Sequence, residues 1–135
     1  MSGQVIKVRD VMTAGLKTID GLASVRDAIE LMRTASTSSL VITKRHDGDE
    51  YGVVTVHDIA EKIISQNRSI DRSSVYEVMS KPALTVNADM NIKYAIRLLV
   101  RLGEKRALVA DNNSVVGFVS QRDMVVRYAG NEESG

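Results

Sequence analysis

Apolar residues fall on Val25, Ala28, Ile29 and Met32, and again on Ile92, Ala95, Ile96 and Leu99. Both sets follow the i, i+3, i+4, i+7 spacing that gives a helix one buried stripe, so a helix is predicted at each place. Downstream, "LVIT" at 40–43 and "LVAD" at 108–111 are short apolar runs that read as buried strands. The runs "YGVVTV" and "VVGFVS" read as their partners, across the turns "KRHDGDE" and "NNS", so each half carries a hairpin. Upstream, "VRDVMT" at 8–13 returns as "VYEVMS" at 75–80, matching Val8, Val11 and Met12 with Val75, Val78 and Met79 at the spacing of a short helical turn. Ile59, Ala60, Ile63 and Ile64, with Met124, Val125, Tyr128 and Ala129, predict a closing helix with an apolar face in each half. Strand, helix, strand, strand, helix is thus written twice, at an offset of about 66 residues.

A half of about 60 residues buries too little apolar surface to be comfortable alone. Two β-α-β-β-α repeats packed through their sheets about a pseudo-twofold axis would solve this, an α/β fold of the α+β kind. The segment "SQNRSIDRSS" at 65–74 is polar and without apolar periodicity, the natural connector, which divides the chain into repeats 1–66 and 67–135. The whole, 135 residues at 44% hydrophobic, suits one compact pair.

Charge and residue usage remove several classes of function. Eighteen basic residues against seventeen acidic ones leave no electrostatic footprint for nucleic acid or an anionic membrane. Without cysteine there are no disulfides, thiolate nucleophiles or thiolate metal ligands. No apolar run approaches the roughly 18 residues of a membrane span. The opening "MSGQVIKVRD" lacks the apolar stretch of a signal peptide, so a cytoplasmic location is expected. The two histidines, His46 and His57, form no metal-binding spacing, and neither a nucleophile elbow nor a phosphate-cradling glycine loop is present; an enzyme is not expected.

The chemistry lies where each hairpin ends. "GVVTVHDI" at 52–59 and "GFVSQRDM" at 117–124 share a glycine, an apolar pair, a hydroxyl and, three residues on, an aspartate. A ribose presents two vicinal hydroxyls that one carboxylate can accept together, and the helix start beside it offers unpaired N–H groups to a phosphate. Hydroxyl, carboxylate and helix start would form a nucleoside receptor around Thr55 and Asp58, and another around Ser120 and Asp123. Aspartate is equally a favoured residue for capping a helix, and a repeated helix repeats its cap. Arg122 beside Asp123 adds a bidentate phosphate donor that a cap does not need. Gly52 and Gly117 fit either close strand packing or ligand access. Met12 and Met79 read as core, Lys44-Arg45-His46 as a solvated loop, and the closing "EESG" as a frayed tail.

The order of elements, the "VMT" and "VMS" openings and the two closing motifs resemble a tandem pair of cystathionine-β-synthase (CBS) domains, a Bateman module, from about Val8 to about Ala129. The resemblance implies regulatory binding of AMP, ADP, ATP or S-adenosylmethionine in clefts between the halves, usually in a homodimer, with no catalytic cofactor. It assigns Asp58 and Asp123 to the ribose, Thr55 and Ser120 to ribose or phosphate, and His57 and Arg122 to phosphate. It also places a phosphate-binding basic residue where Lys105 and Arg106 open a strand; Thr37-Ser38 is the matching place in the first half, where Ser38 supplies a hydroxyl and no charge. The two sites are therefore expected to be unequal, the first gaining phosphate affinity as His57 charges at lower pH. A regulated partner is expected on a separate chain of unknown identity. The alternative is a purely structural pair of repeats that serves protein association with both sites empty.

Overall fold

The computed structural model describes the backbone of residues 5–134, and side chains as far as residue 130. Each predicted helix and hairpin is present. The first half runs β1 (Thr18–Ile19), α1 (Val25–Ala35), β2 (Ser39–Ile42), β3 (Gly52–Thr55) and α2 (Val56–Lys62). The second runs β4 (Thr85–Asn87), α3 (Ile92–Leu102), β5 (Arg106–Asp111), β6 (Ser114–Ser120) and α4 (Gln121–Ser134). "VRD" and "VYE" form short 3₁₀ turns, Val8–Asp10 and Val75–Glu77. Two three-stranded sheets result, β1-β2-β3 and β4-β5-β6, each with one parallel and one antiparallel ladder. No described helix is long and apolar enough to cross a membrane. The closing "EESG" continues the backbone of α4 as far as Ser134, and Gly135 lies outside the described residues, as do the first four residues of the chain.

The apolar stripes fold inward as their spacing requires. Val25, Ala28 and Met32 of α1 are buried, as are Ile92, Ala95 and Leu99 of α3, while Ile29 and Ile96 lie at the rim of their cores. The closing helices are covered on one side only. Ile59, Ile63 and Met124 are buried, but Ala60, Ile64, Val125, Tyr128 and Ala129 are exposed, so only the inner edge of each closing helix meets its core.

Two compact units divide the chain, and they are not the two repeats. The middle unit is Lys17–Ala83; the terminal unit joins the chain up to Leu16 with the chain from Leu84 onward. The reason is an exchange of leading segments. The polar connector supplies carbonyls to the open N–H groups of α1: Val25 N donates to Ser73 O at 2.8 Å and Arg26 N to Ile70 O at 3.0 Å. Val75 and Val78 then bury themselves in the α1 core. In the terminal unit Ile92 N of α3 donates to Ile6 O at 2.9 Å, and Val8 is buried with Val86, Ile92 and Ala95. Each opening turn therefore serves the helix of the other repeat.

The two glycines before the closing motifs pack against these turns. Thr13 and Phe118 exchange backbone hydrogen bonds at 2.8 and 3.0 Å, and a Cβ on Gly117 would stand 2.5 Å from Thr13 O. At Gly52 a Cβ would meet Met79 Sδ at 3.1 Å and Ser80 O at 3.3 Å. Close approach of backbone explains both, and the notion of ligand access is not needed.

Candidate functional site

Strand register decides which residues meet at the end of each sheet. Antiparallel pairing sets Arg106 opposite Ser120 and Ser39 opposite Thr55. Gln121 N donates to Lys105 O at 2.8 Å, and Val56 N to Ser38 O at 2.9 Å. Lys105-Arg106 therefore corresponds to Ser38-Ser39, not to Thr37-Ser38, and "LVIT" matches "ALVA" at 107–110 rather than "LVAD". The shift arises because the repeated letters Leu-Val are one position out of step with the ladder: Ala107 occupies the buried place that Leu40 holds in the first half.

In the terminal unit, register and helix start bring Lys105, Arg106, Ser120, Arg122 and Asp123 to one end of the sheet. Asp123 N donates to Ser120 Oγ at 3.1 Å, so the serine caps the first turn of α4. The Asp123 carboxylate stays accessible, its side chain 39% exposed and 3.6 Å from Arg122 Nη1, with that guanidinium itself 83% exposed. One carboxylate among three cations beside a helix N-terminus can accept from a diol while a phosphate is met by positive charge.

The middle unit carries the same residue types in a different state. Thr55 caps α2 by accepting from Asp58 N at 3.1 Å, and Asp58 Oδ2 in return accepts from Thr55 N at 2.9 Å and from Thr55 Oγ1 at 3.0 Å, a closed capping box. The Asp58 side chain is only 17% exposed, and Lys62 Nζ stands 3.9 Å from its Oδ1. His57 is 80% exposed and points along the helix surface, its Nε2 3.2 Å from Glu61 Oε2. Ser38 follows the loop after α1 and is exposed.

Two cations that the sequence reading passed over belong to this arrangement. Lys62 Nζ donates to Val78 O at 3.0 Å, and Arg127 Nη1 donates to Asp10 O at 3.3 Å, so each closing helix sends a cation to the carbonyl end of a 3₁₀ turn. The signal was present: Lys62 and Arg127 each stand four residues after the motif aspartate, the spacing at which helix side chains share a face.

The sequence model of the CBS domain matches residues 8–65 and again residues 75–130. The chain belongs to the CBS domain family. An uncharacterised protein of Methanopyrus kandleri is 33% identical over 95 residues, a match covering 70% of this chain and 48% of that one, so this chain spans about half the relative's length. Among solved structures, the hexameric CBS-CP12 protein from bloom-forming cyanobacteria superposes with a TM-score of 0.85 at 32% identity, covering 93% of this chain and 73% of that one. A CBS domain pair in complex with 5-methylthioadenosine and S-adenosyl-L-methionine shares the fold, with a TM-score of 0.77 at 23% identity over 94% of this chain and 98% of that one. The tandem CBS architecture read from the repeat is thus the architecture of the protein.

Proposed function

We propose that this CBS pair is a regulatory, non-catalytic binder of an adenosine nucleotide, with AMP, ADP, ATP and S-adenosylmethionine as the candidate ligands and the ribose held by Asp123. The observation that carries this reading is the open carboxylate of Asp123 at the start of α4, with Ser120, Arg122, Lys105 and Arg106 at the same sheet end. A solved CBS pair that holds two adenosine compounds supports the ligand class. In this reading Asp123 accepts from the ribose hydroxyls, and Arg122 with Lys105 neutralises the phosphate or its sulfonium counterpart's carboxylate. The bound ligand shifts the conformation of a partner protein of unknown identity.

Assembly belongs to the same reading. Val125, Val126 and Tyr128 on α4 are 50%, 58% and 38% exposed, and Val56 of α2 and Ile64 just beyond it are 51% and 58% exposed. Apolar surface gathered on helices suits a second copy of the chain, and a homodimer is proposed. Light scattering at the mass of one 14.8 kDa chain at all concentrations, with and without nucleotide, would rule it out.

The functional test is a thermal-shift series with AMP, ADP, ATP and S-adenosylmethionine. A ligand that binds only the folded protein stabilises it by RT ln(1 + [L]/Kd), about 2.7 kcal/mol at a hundredfold excess over Kd. At least one compound raises Tm in the native chain and fails to do so in Asp123→Ala. No shift with any of the four leaves the alternative, a structural association module.

A further inference from the structure

We propose that the two motif aspartates have parted in role: Asp58 is a lock on the fold of the middle unit, and the chain accordingly takes one adenosine nucleotide rather than two. The inference rests on the adenosine reading for its count of ligands, but its claim about Asp58 stands on geometry alone.

A carboxylate that is to hold a ribose diol must turn free lone pairs outward. Asp58 has committed Oδ2 to two donors of Thr55, the backbone N–H at 2.9 Å and the hydroxyl at 3.0 Å. Its Oδ1 faces Lys62 Nζ at 3.9 Å, and that ammonium is anchored to Val78 O at 3.0 Å. The chain of contacts Thr55, Asp58, Lys62, Val78 thus runs from the end of β3, through the first turns of α2, to the residue that follows the 3₁₀ turn Val75–Glu77. It joins three elements of the unit and leaves the side chain 17% exposed. Thr55 is spent as well: its hydroxyl donates to Asp58 and accepts from Asp58 N, so it has no hydrogen left to give a phosphate. A ligand at this place would have to break the box before it gained a bond.

The second copy of the motif shows that the lock is not obligatory for such a helix. Asp123 N–H bonds Ser120 Oγ at 3.1 Å, but among the described residues the carboxylate makes no bond back to Ser120 and meets Arg122 at 3.6 Å, with its side chain more than twice as exposed as that of Asp58. The tethering cation is also decoupled: Arg127 reaches Asp10 O while Arg122 takes the carboxylate. Same letters, different bonds, and the bonds separate a capping carboxylate from an available one.

The experiment pairs melting with calorimetry on the full chain. Asp58→Ala lowers Tm by about 3–6 °C, the shift expected from losing about 1 kcal/mol when the capping box opens and Lys62 loses its carboxylate in a chain of this size, and Asp58→Asn, which keeps an acceptor oxygen, recovers most of it. Asp123→Ala leaves Tm within about 1 °C of the native value. Titration of AMP and of S-adenosylmethionine gives, for whichever binds, one equivalent per native chain, with affinity retained in Asp58→Asn and weakened roughly 10- to 100-fold in Asp123→Ala. Two equivalents per chain, or an Asp58→Asn variant that loses ligand with Tm unchanged, overturns the proposal. If neither compound binds and ADP and ATP fail as well, the adenosine reading falls and the melting pair decides: unequal losses uphold the lock, and equal ones overturn it.

Discussion

Asp49 sits in the long loop of the first hairpin, its side chain 13% exposed and its carboxylate 2.6 Å from Lys81 Nζ. The lysine, helped by the amide N–H groups of Arg45 and Glu50, holds the Asp49 carboxyl well below the usual carboxylate range. A carboxyl whose folded pKa lies below its unfolded value contributes stability that is complete above the unfolded value, about 4, and fades as pH falls toward the folded one. The Tm difference between the native chain and Lys81→Met is therefore constant from pH 8 to pH 5 and shrinks below about pH 4. Circular dichroism melts across that range check it, and a difference that persists unchanged at about pH 2.5 contradicts it. Nothing in "KRHDGDE" announced this pair. The loop reads as solvated, and Lys44, Arg45 and His46 are indeed exposed, but Lys81 lies far along the chain and meets the loop only because Val53 and Ser80 pair as neighbouring backbone.

At the scale of elements, periodicity was a good guide and letter matching a poorer one. The stripes of α1 and α3 were legible because burial repeats with the helix period, and the second hairpin because Asn112-Asn113 adopts positive φ, 51° and 67°, as a two-residue turn demands. The closing helices α2 and α4 were legible as helices with an apolar face, but that spacing alone does not separate the buried Ile59, Ile63 and Met124 from the exposed Ile64, Val125 and Tyr128, since it shows which residues share a face and not which of them another element covers. The strand register slipped by one because Leu40 and Ala107 fill the same buried place with different volumes. Gly117 offers a direct check on the packing described here. Its Cβ would stand 2.5 Å from the Thr13 carbonyl oxygen, whose residue is fixed by two backbone hydrogen bonds exchanged with Phe118, so Gly117→Ala destabilises by about 1–3 kcal/mol in urea unfolding. Gly52→Ala costs less, because its tighter contact, 3.1 Å, is to the flexible side chain of Met79. Equal costs at the two positions would place the bridge between Thr13 and Phe118 in error.

The molecule as a whole is two units, each built from one repeat and the opening turn of the other. This exchange was not legible, and the cause is degeneracy: Val8, Val11 and Met12 match Val75, Val78 and Met79 so well that either turn suits either helix. Backbone chemistry breaks the tie, because the connector's carbonyls at Ser73 and Ile70 satisfy the N-terminus of α1. A fragment spanning 17–83 accordingly melts cooperatively by circular dichroism, whereas one spanning 1–66 lacks the carbonyls and the buried Val75 and Val78, and does not. A cooperative melt for 1–66 alone would show that the exchange is dispensable.

The central claim is that Asp123 reads a ribose, and the diol itself provides the most direct test. Calorimetric titration of the native chain and of Asp123→Ala with AMP and with 2′,3′-dideoxy-AMP isolates that contact. Hydrogen bonds to a charged acceptor contribute about 1.5–3 kcal/mol, so removal of the hydroxyls weakens binding to the native chain roughly 10- to 100-fold. Asp123→Ala weakens AMP to the same degree and leaves the dideoxy compound as it was, so the two losses do not add. Equal affinity of the native chain for the two nucleotides, or a further loss when both changes are combined, would contradict the assignment.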